Sequence, residues 1–138
     1  MSIETALKSA IDNNSALASY SLEVYPNIAP QTATDPLIVY QVLSTDLDHD
    51  IGLEALTLAE SEISLEVYTD TPTDRAGIVD ALKDQFHGFR GALGSESLDI
   101  RRATLNNFST FSENDITGSD ADIYRASLVI NFVYNWSV

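Results

Sequence analysis

The sequence predicts an α+β fold: a mostly antiparallel sheet of four to five strands with two main helices packed on one face. Three observations carry this. Apolar residues recur at helical spacing in two segments, near the N-terminus and over 72–89. Segment 61–68 alternates with period two, and 123–136 places apolar residues on one face at every second position. The order helix, strands, helix, strands suits helices gathered on one side of an antiparallel sheet.

The first helix is expected over 2–13. Ser2 is its N-cap candidate, Glu4 suits the positive end of the dipole, and Ile3, Ala6, Leu7, Ala10 and Ile11 form its apolar stripe. Asn13-Asn14 ends it. Residues 20–24, Y-S-L-E-V, suggest a short strand. The segment V-Y-P-N-I-A-P-Q (24–31) then reads as a proline-set loop, because each residue before a proline is pushed toward extended geometry. Gln31 to Asp35 continue it with turn chemistry.

L-I-V-Y-Q-V-L (37–43) is nearly all apolar and is expected as a central strand. The next segment, T-D-L-D-H-D-I-G-L-E (45–54), reads as an acidic connection. In the strand 61–68, Ile63, Leu65 and Val67 point one way, and Glu62, Ser64 and Glu66 the other. The main helix has Thr71 as its cap, Pro72 at the first position and Asp74 in the first turn. Ile78, Val79, Leu82, Phe86 and Phe89 form its buried stripe, and Gly88 and Gly91 stop it. G-A-L-G-S (91–95) reads as a loop. Strands follow over 98–105 and 123–136. In the last, Ala126, Leu128, Ile130, Phe132, Tyr134 and Trp136 share one face. The acidic, turn-rich S-E-N-D-I-T-G-S-D-A-D lies between them.

With 138 residues the chain suits one domain, 1–138. Cysteine is absent, which excludes disulfides and thiolate metal sites. The N-terminus has no basic region followed by an apolar run, so no signal peptide is expected. No apolar window approaches the roughly 20 residues of a membrane span. The chain reads as soluble and cytosolic in origin, with no membrane partner.

The net charge of −14 is unevenly placed. Residues 9–74 hold twelve acids and no lysine or arginine, for −12; the rest has nine acids and seven bases, for −2. A phosphate-binding surface needs clustered bases and is not expected. The acidity suits a general solubility charge or that of a salt-adapted organism, or else a surface that must not adhere to passing nucleic acid.

Asp46, Asp48 and Asp50 have the spacing of a calcium loop. Such a loop would need glycine at 51 and glutamate at 57, where this chain has Ile51 and Thr57. A solvated acidic loop is the preferred reading. His49 lies among those acids, and His87 lies in the last turn of the main helix, where a cation meets the negative dipole end. A hydrolytic zinc site needs three ligands, and no cluster holds more than one histidine. There is no G-x-S-x-G, and G-F-R-G-A-L-G matches neither glycine-rich phosphate motif. No enzyme activity and no cofactor are expected. Arg101 and Arg102 are adjacent and, on a regular strand, point to opposite faces. With Arg125 they suit either salt bridges within the chain or the acidic face of a neighbouring subunit.

V-Y-P-N-I-A-P-Q followed by P-L-I-V-Y-Q and Ser44 resembles the tail completion (tail terminator, or tail-to-head joining) family of long-tailed bacteriophages. So do D-R-A-G-I-V-D-A-L-K-D-Q-F-H-G-F-R-G and the closing I-Y-R-A-S-L-V-I-N-F-V-Y. The resemblance runs in order over nearly the whole chain. Leu37 stands where the family has an aromatic residue, and the acidity of 9–74 departs from the family. The resemblance implies a virion protein assembled in the host cytoplasm. It would form a ring, usually of six copies, that caps the tail tube and joins it to the head connector. Its partners would be copies of itself, the major tail tube protein and a connector or head-closure protein, with DNA passing through unbound. Pro26, Pro30 and Gln31 would then belong to a pre-set docking loop. Asp46, Asp48, Asp50, Glu54, Glu62 and Glu66 would line the lumen or an axial face. Arg90, Arg101, Arg102 and Arg125 would meet acids across subunits.

Overall fold

The computed structural model describes residues 3–20, 22–28, 36–49, 56–94, 98–114 and 122–137, with side chains described for all of these except 47–49, 56–57, 111–114, 122–123 and 136–137. Helix α1 spans Ile3–Asp12 and is followed by a 3-10 turn over Ala18–Tyr20. Strands β1 (Glu23–Pro26), β2 (Leu37–His49) and β3 (Leu56–Thr69) lead to helix α2 (Pro72–Phe86). Strands β4 (Gly91–Leu93), β5 (Leu98–Asn114) and β6 (Asp122–Ser137) complete the order.

The α+β class is observed, but among the described residues the sheet has six strands rather than four or five, in the order β1-β2-β3-β6-β5-β4. The extra strand is β4, a short piece at one edge where a loop is expected. β1 begins at Glu23, after the 3-10 turn, and runs parallel to β2; every other pair is antiparallel. Pro26 therefore ends a strand and does not open a loop. An edge strand tolerates a proline because one side of it has no ladder to serve. Pro30 and Gln31 lie outside the described residues, as do Ser2, Asp50 and Glu54.

The long strands also outrun their expected ends. β2 continues through Asp46 and Asp48 to His49, opposite β3 residues Glu60, Leu58 and Thr57. Thr45 to His49 extend the strand, so this first part of the expected acidic connection is instead strand, with Asp46 and Asp48 on alternate positions; residues 50–54 lie outside the described residues. β5 continues from residue 105 to Asn114.

One face of the sheet is buried. Ile38, Tyr40, Ile63, Leu65, Val67, Ile100, Ala103, Ala126, Leu128, Ile130, Phe132 and Tyr134 join Ile3, Leu7 and Ile11 of α1 and Ile78, Leu82 and Phe86 of α2 in one core. Phe86 meets Phe132 edge to face, with ring centroids 5.7 Å apart. α2 packs on β3, β6 and β5, while α1 touches both β1 and β4. Since β1 and β4 are opposite edges of the sheet, contact of one short helix with both means that the sheet is curled around it.

The curl has a local cause in the backbone. The pairing shifts by one residue at Leu43 on β2 and at Asn106 on β5, close to the same cross-strand row, and again at Arg101 on β5. The central strands β3 and β6 pair without a shift. Each bulge bends its strand and increases the local twist.

Hydrogen bonds fix the helices. Asn14 Nδ2 donates to Gln85 Oε1 at 2.8 Å, and Gln85 Nε2 donates to the Ala10 carbonyl at 2.8 Å, tying the end of α1 to α2. Thr71 Oγ1 accepts from the Asp74 N–H at 3.1 Å, and Pro72 opens the helix as expected. Thr71→Ala should cost about 1 kcal/mol, read as a lower midpoint in urea unfolding. The helix ends at Phe86; Gly88 at φ 78° turns the chain, and Phe89 is only partly buried against the core. Among the described residues, two groups titrate above their ordinary values. Lys8 is raised chiefly by its hydrogen bond to Asp12, and Tyr40 by burial.

Candidate functional site

The face of the sheet opposite the helices holds Asp46, Glu62, Glu66, Arg102 and Arg125. Alternation puts them there. With Ile63, Leu65 and Val67 inside, Glu60, Glu62 and Glu66 of β3 must point out. Cross-strand pairing then lines up rows over four strands. Val39, Glu66, Ser127 and Ser109 form one row, and Ser44, Glu62, Asn131 and Thr104 another. Asp46, Glu60, Val133 and Arg102 form a third.

The rows differ in how they balance charge. Glu66 is compensated. Its Oε2 accepts from Arg125 Nε at 3.1 Å, its Oε1 accepts from Ser127 Oγ at 3.0 Å, and the guanidinium lies 5.3 Å from the Tyr68 ring centre. Asp46 and Glu60 stand directly opposite each other, and like charges so placed destabilise a sheet. Among the described residues neither has a cation at ion-pair distance. Glu60 Oε1 accepts only a neutral donor, Asn131 Nδ2, at 2.7 Å. Asn131 Oδ1 is itself a buried acceptor with no donor. This end of the face is rich in acceptors and net negative.

Arg101 and Arg102 depart from expectation. On a regular strand they would face opposite ways. The bulge at Arg101 inserts one extra residue between inward Ile100 and inward Ala103, so both arginines are exposed. Arg101 Nε lies 3.7 Å from Asp99 Oδ2 and donates to Asn135 Oδ1 at 3.5 Å. Arg125 and Arg101 thus have acidic partners in their own chain. Arg102 and Arg90 form no ion pair among the described residues. Arg90 precedes β4, away from the acidic rows.

The double-mutant cycle of Glu66→Gln with Arg125→Gln should give a coupling of about 0.5 kcal/mol, because both side chains remain partly in solvent. It should shrink in 1 M salt. Chemical denaturation of the four proteins at two salt levels reads it.

The sequence reading brought together Asp46, Glu62 and Glu66. Asp48 lies on β2 in register with Leu58, its side chain outside the described set. Glu60 was missed, although extending the alternation of 61–68 back by one residue finds it. Asn131 carried no signal, because its role comes from a strand seventy residues away. His87 ends α2 but acts as an acceptor: its Nδ1 takes the Leu105 N–H at 3.2 Å. Among the described residues no helix is long and apolar enough to cross a membrane.

No family model and no curated protein matches the chain. Among solved structures it is similar to a chain of the virion of a native gene transfer agent (GTA) particle. The TM-score is 0.61 at 13% identity, over 96% of this chain and 93% of the other. That likeness shows a shared fold over nearly the full length of both.

Proposed function

We propose that this chain is a structural virion protein of a phage-like particle, and more specifically a tail completion protein. In this reading, copies form a ring, six in number as in the family it resembles, that caps the tail tube and joins it to the head connector. The observation that carries the reading is the near full-length fold shared with a chain of a gene transfer agent virion. The motifs of 24–44, 74–91 and 123–134 support the finer assignment.

The acidic rows give the reading a physical rationale. Asp46 facing Glu60 costs folding stability, and no cation offsets it within the described chain. A wall that repels phosphate would let DNA pass without binding. The outer face of the sheet, with Asp46, Glu60 and Glu62, is therefore assigned to the lumen or an axial face of the ring. Arg102 and Arg90 are assigned to contacts with neighbouring copies. Because such contacts would be partly exposed, assembly should weaken in salt.

Purified protein, gold-labelled and mixed with tails lacking it, tests the assignment by electron microscopy. Label at one end of the tube supports a terminator. Label along the whole tube supports the other reading, a tail-tube component, and label on heads alone a neck component; either overturns the terminator. A ring image with Asp46, Glu60 and Glu62 on the outer rim overturns the lumen assignment alone.

A further inference from the structure

Among the described residues, β2 and β5 each have an edge partner strand over only their N-terminal part. β1 pairs with β2 from Leu37 to Tyr40, and β2 then continues to His49. β4 pairs with β5 from Leu98 to Ile100, and β5 then continues to Asn114. Among the described residues no further strand lies beside either extension.

Hydrogen bonds show which backbone groups these edges present. The Tyr40 carbonyl accepts from the Asn27 N–H at 2.8 Å, so Tyr40 turns its backbone away from β3. Alternation assigns the same direction to Val42 and, past the bulge at Leu43, to Thr45, Leu47 and His49. On β5 the Ala103 carbonyl accepts from the Gly88 N–H at 2.8 Å, and the Leu105 N–H donates to His87. Past the bulge at Asn106 the same direction falls to Phe108, Thr110, Ser112 and Asn114. The Phe108 N–H is already taken by Asn107 Oδ1 at 2.8 Å. Each edge thus offers the backbone groups of about four residues.

The two edges match each other and not themselves. Through β3 and β6, β2 and β5 run in opposite directions in one copy. Two copies side by side with their sheets facing the same way therefore set β5 of one antiparallel to β2 of the next. Exposed edges are normally guarded by charge or proline. The β5 stretch T-L-N-N-F-S-T-F-S (104–112) has neither, and Glu113 is the one charge between it and the end of the strand at Asn114. The β2 extension carries Asp46 and Asp48, which would oppose each other if two β2 edges met.

We propose that Phe108–Asn114 of one copy pairs antiparallel with Val42–His49 of a second copy, continuing the sheet from subunit to subunit. The open parts lie at the C-terminal ends of strands that run opposite ways, so neighbours are staggered along the strand direction. Strands slanted to a common axis absorb that stagger, as in any closed barrel, and the ring reading requires the rotation between neighbours to close. The proposal deepens the ring reading and rests on it for the number of copies.

The chain has no cysteine, which makes cross-linking selective. One preparation carries Thr45→Cys and a second Ser112→Cys; they are oxidised separately and as a mixture, then run on a denaturing gel. The mixture should yield at least ten times more linked pair than either alone. Adding Thr110→Pro to the Ser112→Cys chain should remove the product. That N–H faces the open edge, so the β5–β6 ladder is spared, and a circular dichroism melt checks that the chain folds. A mixture no better than its components overturns the proposal, as does equal linking by one preparation alone or a folded Thr110→Pro chain that links undiminished. Failed cross-linking with intact end-labelling of tubes removes the edge contact and leaves the cap. Cross-linking without end-labelling does the reverse.

Discussion

Phe132→Ala should lower the unfolding free energy by about 3–5 kcal/mol. Phe132 is fully buried at the centre of β6, and its ring meets Phe86 of α2 edge to face at 86°. Truncation removes the transfer energy of the ring, leaves a cavity between sheet and helix, and deprives Phe86 of a partner. Its neighbours across the strands are Ser61 and Ala103, too small to fill the gap. With a urea m-value of about 2 kcal/mol/M, the midpoint should fall by about 2 M. Against a typical total of about 5–15 kcal/mol, the variant stays folded only marginally. Phe86→Ala should cost a similar amount, and the double variant less than the sum of the two, since both lose the same contact. A midpoint shift under 0.5 M for Phe132→Ala would contradict the packing described.

Gly94→Val should be nearly as damaging by a different route. Gly94 sits at φ 72°, where a β-branched residue is strained. A Cβ there would lie 2.6 Å from the Ala6 carbonyl oxygen and 2.9 Å from its Cα. Those are backbone atoms of α1 and cannot rotate aside. The strain alone costs about 1–3 kcal/mol, and relief of the clash requires α1 to move off the β4 edge. The expected result is a midpoint loss comparable with that of Phe132→Ala, with faster hydrogen exchange in α1 than in β6. Gly88→Ala serves as control. Gly88 also has positive φ, at 78°, but a Cβ there meets nothing within 4 Å, so only the backbone cost remains.

The contrast between these sites shows what was legible in the sequence. Phe132 was readable because alternation over fourteen residues admits one inward face. The cap at Thr71 and the stripe of α2 were equally local. Gly94 was not readable, because its requirement comes from Ala6, nearly ninety residues earlier. The bulges escaped for the same reason. Nothing at Leu43, Arg101 or Asn106 marks an extra residue, since a bulge is defined by the partner strand. Hence the error over Arg101 and Arg102, and the hidden continuation of β2 through Asp46. Polar residues suggest strand ends in the sequence, whereas on a sheet with one wet face they mark every second position. The acidic character of the candidate surface was visible from composition; its assembly into rows with Glu60 and Asn131 needed the register.

The bulges also decide what kind of object the curl is. A sheet whose flanking strands carry one residue (β2) and two residues (β5) more than the central pair behaves as a strip with unequal layers: its bend is set by a count, not by a balance of forces. Salt and moderate heat can weaken ion pairs on its surface. Neither can straighten it, because sliding a strand by one residue would turn every buried side chain of that strand to water. The subunit therefore keeps one curvature across conditions, and stress on a larger assembly would be taken up at the joints between copies while the wall of each copy stays rigid.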